Sequence, residues 1–155
     1  MKVYRIERGK YLDSTLSGIG ASKSQGFRWN SLDTFLVYTS ESRALASLEV
    51  TAHLDLTEDL PSDRFIVEIE IPEETIIQEV NVEDLPKNWT NIPPTTSTQY
   101  IGDDFVKDGV AAVLRVPSCI IPEESNYLIN PTHPDSKNIS VKRTRPFKFD
   151  SRLKN

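Results

Sequence analysis

The sequence contains one cysteine and no long apolar run, and each shortage excludes a class of protein. A single thiol, Cys119, cannot form an intramolecular disulfide framework or a cysteine-rich zinc site. No stretch reaches the roughly 18 apolar residues of a membrane-spanning helix, and the N-terminus lacks a signal-peptide core. We therefore expect a reduced, cytoplasmic protein without a membrane partner.

Motifs for metal, dinucleotide or hydrolase chemistry are also scarce. His53 and His133 are the two histidines of the chain, so the sequence argues against a metal site. Gly18 and Gly20 do not form the glycine-rich fingerprint of a dinucleotide-binding turn. Ser118 lacks the surrounding small residues of a nucleophile elbow, which argues against a serine hydrolase.

Charge is unevenly distributed along the 155 residues, whose net charge is −5. Residues 55–84 carry eleven acidic side chains and one basic side chain. The acidic residues alternate with apolar ones in the predicted strands, so we expect most of them on the solvated surface. Residues 141–155 carry six basic side chains and one acidic. Nucleic acid binding usually needs a whole-domain positive charge, so we expect no direct nucleic acid partner. The length fits one domain over residues 1–155.

Hydrophobic periodicity predicts an α+β fold with mostly antiparallel strands and two or three helices. Strands are predicted at residues 3–6, 35–38, 64–71, 75–82, 111–116, 126–129 and 146–150. Residues 14–26 are expected to be loop or weak helix, and residues 85–98 an irregular connection. Residues 99–110 predict an amphipathic helix that ends near Gly109. Without regular strand–helix alternation, a doubly wound parallel sheet is not expected.

A second helix follows the strand at residues 35–38. Ser40 is predicted to be its N-cap, with Glu41 in the first turn, where the helix dipole favours a negative charge. Glu49 falls in or beside the predicted apolar stripe, which is formed by Leu45, Leu48 and Ala52. A carboxylate there must be paired or must have a task, because an unpaired buried charge is costly.

Three side chains raise the question of a ligand site. Arg28, beside Trp29, either packs its stem on the ring or offers a guanidinium fork to a phosphate. Tyr38 is either a core residue with a bonded hydroxyl or a platform for a ligand ring. Glu49 either pairs with Arg28 or Arg5 or faces a ligand, and spacing alone leaves both alternatives open.

The order of several motifs along the chain resembles that of the RES-domain toxins, named for an arginine, a glutamate and a serine. The motifs are Arg5, Gly26-x-Arg28-Trp29-Asn30, Leu36-Val37-Tyr38-Thr39-Ser40, Leu45-Ala46-x-Leu48-Glu49, Val116-Pro117-Ser118, Glu124-Ser125-Asn126-Tyr127-Leu128-Ile129-Asn130-Pro131-x-His133-Pro134 and Pro146-Phe147-x-Phe149-Asp150-x-Arg152-Leu153. The likeness covers nearly the whole chain. Two departures are Phe27, where the family often has glycine, and the turn at residues 31–34.

The resemblance implies an ADP-ribosyltransferase-like fold around a cleft that binds NAD⁺ as substrate, with no metal. It implies cleavage of the nicotinamide–ribose bond by hydrolysis or phosphorolysis, or else ADP-ribosyl transfer to a protein. The family's arginine, tyrosine, glutamate and serine fall on Arg28, Tyr38, Glu49 and Ser118 as catalytic residues. The resemblance assigns NAD⁺ binding to Arg5, Arg28, Tyr38, Ser118 and Asn126.

The resemblance also implies a partner, a cognate antitoxin with a helix-turn-helix domain of the phage-repressor type. It is compatible with a homodimer inside a toxin–antitoxin complex. A different class of function is also open, a catalytically silent module whose acidic surface binds a basic partner. Release of nicotinamide from NAD⁺ separates the enzyme from the silent module.

Overall fold

The computed structural model describes residues 1–154, which form one seven-stranded sheet with helices and short helical turns. The strands are β1 (Lys2–Arg8), β2 (Val37–Ser40), β3 (Arg64–Glu70), β4 (Ile77–Glu79), β5 (Val113–Pro117), β6 (Ser125–Ile129) and β7 (Ser140–Phe147). The α-helices are α1 (Ile19–Ser22), α2 (Arg43–Thr51) and α3 (Thr96–Asp108). The predicted α+β class is confirmed.

The strand order in the sheet is β4-β5-β6-β2-β1-β3-β7. Every strand pair among the described residues is antiparallel except β4 with β5, which is parallel. The parallel pair requires the long crossover that contains α3. This order brings β2, β5 and β6 together, although they are distant in sequence.

Strand register divides the side chains between two faces of the sheet. Tyr4 pairs with Ser40, and Ser40 pairs with Asn126, so these three side chains share one face. Helix α2 covers this face, because the Arg43 guanidinium carbon lies 4.3 Å from the centre of the Tyr4 ring. Helix α3 covers it too, since Phe105 packs in the cluster that contains Leu128. We call it the helix face.

Each face has its own apolar core. On the helix face the core is formed by Trp29, Leu36, Trp89, Phe105, Ala111, Leu114, Val116 and Leu128. On the opposite face it is formed by Val3, Val37, Val67, Ile69, Ile71, Ala112, Val113, Tyr127, Ile129 and Ile139. Burial of one large apolar side chain contributes about 1.5–3 kcal/mol, so both cores hold the strand register that positions the site.

The start of helix α2 differs from the prediction. Ser42, not Ser40, is the N-cap, and its side chain accepts a hydrogen bond from the Leu45 backbone N–H. Ser40 remains in β2, where the strand pairing continues to Asn126. Glu41 precedes the helix, and its carboxylate accepts from the Ser125 N–H at 2.7 Å.

The buried stripe of α2 is also narrower than predicted. Leu45 and Ala46 are buried, whereas Leu48 is 39% exposed. Ala52 lies after the helix, at its C-cap, and is exposed. The helix has nine residues, and Leu45 and Ala46 are its buried residues among those described.

Strand β3 is more buried than a half-exposed strand. The charge pattern of residues 55–84 predicted solvated acidic side chains, but Glu68 is buried, as is Ile66 on the same face of the strand. Glu68 is tolerated there because Lys2 and Arg43 contact its carboxylate at 2.9 and 2.8 Å. The hydrogen bond from Lys2, with the nearby positive charges, lowers the pKa of Glu68.

Other predicted bounds hold with shifts. The strands at residues 3–6, 111–116 and 126–129 are confirmed within a few residues. Strand β2 lies two residues later than predicted, β4 is shorter, and α3 begins at Thr96. Gly109 ends α3 in the left-handed conformation with φ of 61°, as predicted. The prediction of a strand at residues 146–150 is wrong, because β7 begins at Ser140 and ends at Phe147.

Candidate functional site

The carboxylate of Glu49 is the centre of a hydrogen-bonded group on the helix face. The Ser118 hydroxyl donates to Glu49 Oε1 at 2.7 Å, and Asn126 Nδ2 donates to the same oxygen at 2.7 Å. The other oxygen, Oε2, has no hydrogen-bond partner among residues 1–154. Glu49 is half-buried, so the group holds one carboxylate oxygen and leaves the second available to a ligand.

Ser118 supports the carboxylate and is not placed as a nucleophile. Its side chain is buried, and its oxygen accepts from the backbone N–H groups of Ile120 and Ile121, each at 3.1 Å. With the bond donated to Glu49, the hydroxyl makes three hydrogen bonds and has used its donor and both acceptor positions. No lone pair is left for attack on a substrate.

Asn126 links the carboxylate to strand β2. Its Oδ1 accepts a hydrogen bond from the Ser40 hydroxyl at 2.7 Å, while its Nδ2 donates to Glu49. We call Ser40, Glu49, Ser118 and Asn126 the carboxylate cluster. The prediction brought Glu49, Ser118 and Asn126 together but missed Ser40, because a serine before a helix has the usual pattern of an N-cap.

Tyr38 lies two residues before Ser40 on the same face. Its hydroxyl donates to Asn30 Oδ1 at 2.6 Å and accepts from the Trp29 N–H at 3.2 Å. Burial raises the pKa of the Tyr38 hydroxyl well above its usual range, so it stays neutral. The Phe27 ring packs against Tyr38 with ring centres 4.9 Å apart and a tilt of 39°.

Arg28 is held by the backbone of the irregular connection. Its Nη1 donates to the carbonyl oxygens of Trp89 at 2.6 Å and Asn91 at 3.0 Å. Neither Nε nor Nη2 of Arg28 has a hydrogen-bond partner within residues 1–154. A guanidinium has five N–H donors, so three remain for an anionic ligand. The alternative in which Glu49 pairs with Arg28 is not seen, because no Arg28–Glu49 ion pair occurs among residues 1–154.

Helix α3 fixes the loop of residues 25–31, which carries Arg28. Gln99 Nε2 donates to the Phe27 carbonyl at 3.0 Å, and the Asp103 carboxylate accepts from the Ser31 N–H at 2.9 Å. Gly102 lies directly against the Trp29 backbone. The position of Arg28 therefore depends on α3 as well as on its own contacts.

Arg5 is not brought to this group. It pairs with Val67 in the strand register, which places its side chain on the face opposite to Tyr38 and Ser40. Its Nη2 donates to the Glu7 carboxylate at 3.0 Å, and Thr15 donates to the same carboxylate oxygen. The expectation that Arg5 binds NAD⁺ is therefore corrected: Arg5 forms a structural ion pair with Glu7.

Neither histidine lies in the carboxylate cluster. His53 is exposed beyond α2, and His133 Nδ1 accepts from the Asp135 N–H at 3.1 Å as the cap of a helical turn. Residues 1–154 contain no group of three or more histidine, cysteine, aspartate or glutamate side chains arranged to hold a metal ion. No helix in the same range has the length and hydropathy required to cross a bilayer.

A known domain family is named for an arginine, a glutamate and a serine. The model of that family, described as the RES domain, matches residues 2–150. The chain belongs to the RES-domain family.

Two relatives are similar to this chain along most of their length. One, named Prs ADP-ribosylating toxin, from Sphingobium sp. (strain YBL2), is 40% identical over 92% of this chain and 89% of its own. Another, named Toxin Res, from Photorhabdus laumondii subsp. laumondii, is 37% identical over 99% of this chain and 97% of its own.

A solved structure shares the fold. It is described as the crystal structure of the M. tuberculosis MbcT–MbcA toxin–antitoxin complex, and the match has a TM-score of 0.74. The superposition covers 94% of this chain and 83% of the other, with 16% sequence identity. At 16% identity the likeness shows that the two chains share a fold. It does not show that they share a reaction.

Proposed function

We propose that this RES domain is the toxin of a bacterial toxin–antitoxin pair and cleaves the nicotinamide–ribose bond of NAD⁺. The observation that carries the proposal is the half-buried carboxylate of Glu49, with Oε1 bound by two donors and Oε2 free. Membership of the RES-domain family supports it, as does a relative named for ADP-ribosylation, a reaction that breaks the same bond.

One carboxylate is enough for this chemistry. The positively charged nicotinamide takes the bonding electron pair and leaves as a neutral molecule, so it needs no general acid to protonate it. The ribose becomes oxocarbenium-like, as in glycoside hydrolysis. We assign Glu49 to hydrogen-bond a ribose hydroxyl through Oε2 and to stabilise the positive charge that develops on the ring.

The remaining site residues bind and orient the substrate. We assign the free N–H groups of Arg28 to the pyrophosphate, which suits a guanidinium fork. We assign the Tyr38 ring to stacking on nicotinamide. Ser118 and Asn126 hold the carboxylate, and Asn126 keeps a second N–H of its amide for the ribose or the carboxamide. No metal is needed for any of these roles.

The acceptor of the ADP-ribosyl group decides the reaction class. Water adds through its oxygen and loses a proton, giving ADP-ribose, whereas phosphate gives ADP-ribose-1″-phosphate. Transfer to a protein side chain is the second candidate, and it is favoured by the 40% identity to the relative named Prs ADP-ribosylating toxin.

One experiment separates these outcomes. The protein is incubated with NAD⁺ and phosphate, with and without purified Prs, and the products are analysed by mass spectrometry. Free ADP-ribose, ADP-ribose-1″-phosphate and a protein heavier by one ADP-ribosyl group identify the acceptor. Absence of nicotinamide release at any enzyme concentration would mean that the domain is a silent interaction module.

Arg28→Ala is expected to weaken NAD⁺ binding by about tenfold to a hundredfold, because one charge-assisted phosphate contact contributes on the order of 1.5–3 kcal/mol. The change should appear mainly in the Kd measured by calorimetry and less in kcat. Arg145→Ala is the matched control, since Arg145 is exposed on β7. Unchanged NAD⁺ affinity in Arg28→Ala would remove this residue from the pyrophosphate site.

The proposed partner is an antitoxin with a helix-turn-helix domain. The fold match to a chain from a toxin–antitoxin complex supports the presence of an antitoxin. The acidic surface of residues 55–84 is a candidate contact region, and a homodimer within the complex is compatible with the proposal. NAD⁺ is an intracellular substrate, so we propose that the toxin acts in the cytoplasm.

A further inference from the structure

The carboxylate cluster contains one residue, Ser40, that does not contact Glu49 directly but bonds to Asn126. Ser40 is buried, with 4% of its surface exposed, and its hydroxyl donates to Asn126 Oδ1 at 2.7 Å. Asn126 donates to Glu49 Oε1 at the same distance. The amide of Asn126 is therefore held at both ends, by Ser40 on one side and by Glu49 on the other.

This arrangement matters because the amide has two orientations with opposite effects. With Nδ2 towards Glu49 it donates to the carboxylate, as observed. Rotated by half a turn, it would place Oδ1 against Glu49 Oε1, and two acceptors would face each other. The carboxylate is only an acceptor and selects the donating orientation, and the Ser40 hydroxyl holds the amide in that orientation by donating to Oδ1.

Glu49 needs such support because its carboxylate lies at the end of a long side chain that extends from helix α2. Its side chain has several rotatable bonds, and fixing a long polar side chain costs about 1.5–2 kcal/mol of rotamer entropy. Ser118 and Asn126 both hold Oε1, and Oε2 has no hydrogen-bond partner among residues 1–154. Loss of the hydrogen bond from either residue lets the carboxylate rotate. Fewer molecules then have Oε2 in the position that the proposed reaction needs.

We propose that Ser40 is a positioning residue that acts through Asn126 to keep Glu49 Oε2 directed at the ribose. It does not touch the substrate itself. The inference rests on the proposed function, because it assigns Ser40 a part in the cleavage of NAD⁺ by Glu49. Ser40 lies on β2 beside Tyr38, so the same strand aligns the carboxylate and the stacking ring.

The matched control comes from the neighbouring position in the same strand. Thr39 is equally buried and donates one hydrogen bond, to the Tyr127 carbonyl at 2.7 Å. Its side chain lies on the opposite face of the sheet, away from Glu49. Thr39→Ala therefore removes a buried hydroxyl from the same strand without reaching the carboxylate cluster.

Ser40→Ala is expected to lower kcat for nicotinamide release by roughly five- to twentyfold, the scale of one net hydrogen bond or slightly more, with KM nearly unchanged. Thr39→Ala should keep kcat within about twofold, and the melting temperatures of both variants are measured to correct for folding. The decisive step is a double-mutant cycle: in an Asn126→Ala background, Ser40→Ala should have almost no further effect.

Two results would overturn the positioning role. One is that Ser40→Ala lowers kcat by the same factor in the Asn126→Ala background as in the wild-type background. That result would mean that Ser40 does not act through Asn126. The other is an Asn126 side-chain amide NMR resonance that is the same in Ser40→Ala as in wild type. The NMR resonance does not depend on catalytic activity. If the wild-type protein released no nicotinamide, the proposed function would be refuted, but the resonance would still test the contact between Ser40 and Asn126.

Discussion

Glu49→Gln is expected to lower the turnover of NAD⁺ by at least roughly 100-fold, the scale of losing one transition-state interaction. Glutamine has nearly the same shape, and its carbonyl oxygen accepts the bonds from Ser118 and Asn126 as Oε1 does. The substitution removes the negative charge and places an N–H donor where Oε2 would stabilise the ribose cation. The loss should therefore fall on kcat, measured by nicotinamide release, while NAD⁺ affinity is retained.

Glu41→Gln is the control for this experiment. Glu41 also has a carboxylate oxygen bound by one donor, the Ser125 N–H, but it lies outside the carboxylate cluster. Its replacement should leave turnover within a few-fold of wild type. Near-wild-type NAD⁺ consumption by a folded Glu49→Gln protein would contradict the assignment of Glu49.

Gly102→Ala is expected to have the largest effect on stability. A Cβ at this position would lie 1.6 Å from the Trp29 carbonyl oxygen and 2.8 Å from its carbon. These are backbone atoms, so the contact is relieved only if α3 moves away from the loop of residues 25–31. Overpacking of this kind costs about 1–3 kcal/mol and occasionally more, measured as the change in free energy of unfolding in denaturant.

The same substitution should also impair the site, because the loop that α3 fixes carries Arg28. Folded Gly102→Ala protein is expected to bind NAD⁺ less tightly than wild type, although Gly102 has no assigned contact with the substrate. Gly20→Ala is the matched control, since no heavy atom lies within 4 Å of the added Cβ in helix α1. Equal stability of the two variants would show that the close approach of α3 to Trp29 is not required.

The sequence allowed the class of the fold and most of the site to be predicted, for different reasons. Antiparallel strands were visible in the alternation of residues 64–71, and Glu49 was conspicuous because a carboxylate sits beside an apolar stripe. Ser118 and Asn126 came from the resemblance, and the structure joins both to Glu49. Whether these residues act on NAD⁺ stays a prediction that the variants above test.

The failures also have physical causes. Arg5 was misplaced because alternation in β1 separates two faces but does not say which face receives the helices. The start of strand β7 was predicted six residues too late in the chain. Its first six residues carry three basic side chains and most of its residues are exposed, so no alternation of buried and exposed residues marks the strand. Ser40 and Ser42 both suit a helix N-cap, and only strand pairing with Asn126 distinguishes them.

The contact between Phe27 and Tyr38 has a consequence for substrate entry. Phe27 already covers one side of the Tyr38 ring, and the Gln99 amide anchors the Phe27 backbone. A planar base that stacks on Tyr38 would therefore have to avoid the side that Phe27 occupies. If Tyr38 stacks on nicotinamide as proposed, the Phe27 ring limits the directions from which nicotinamide can arrive.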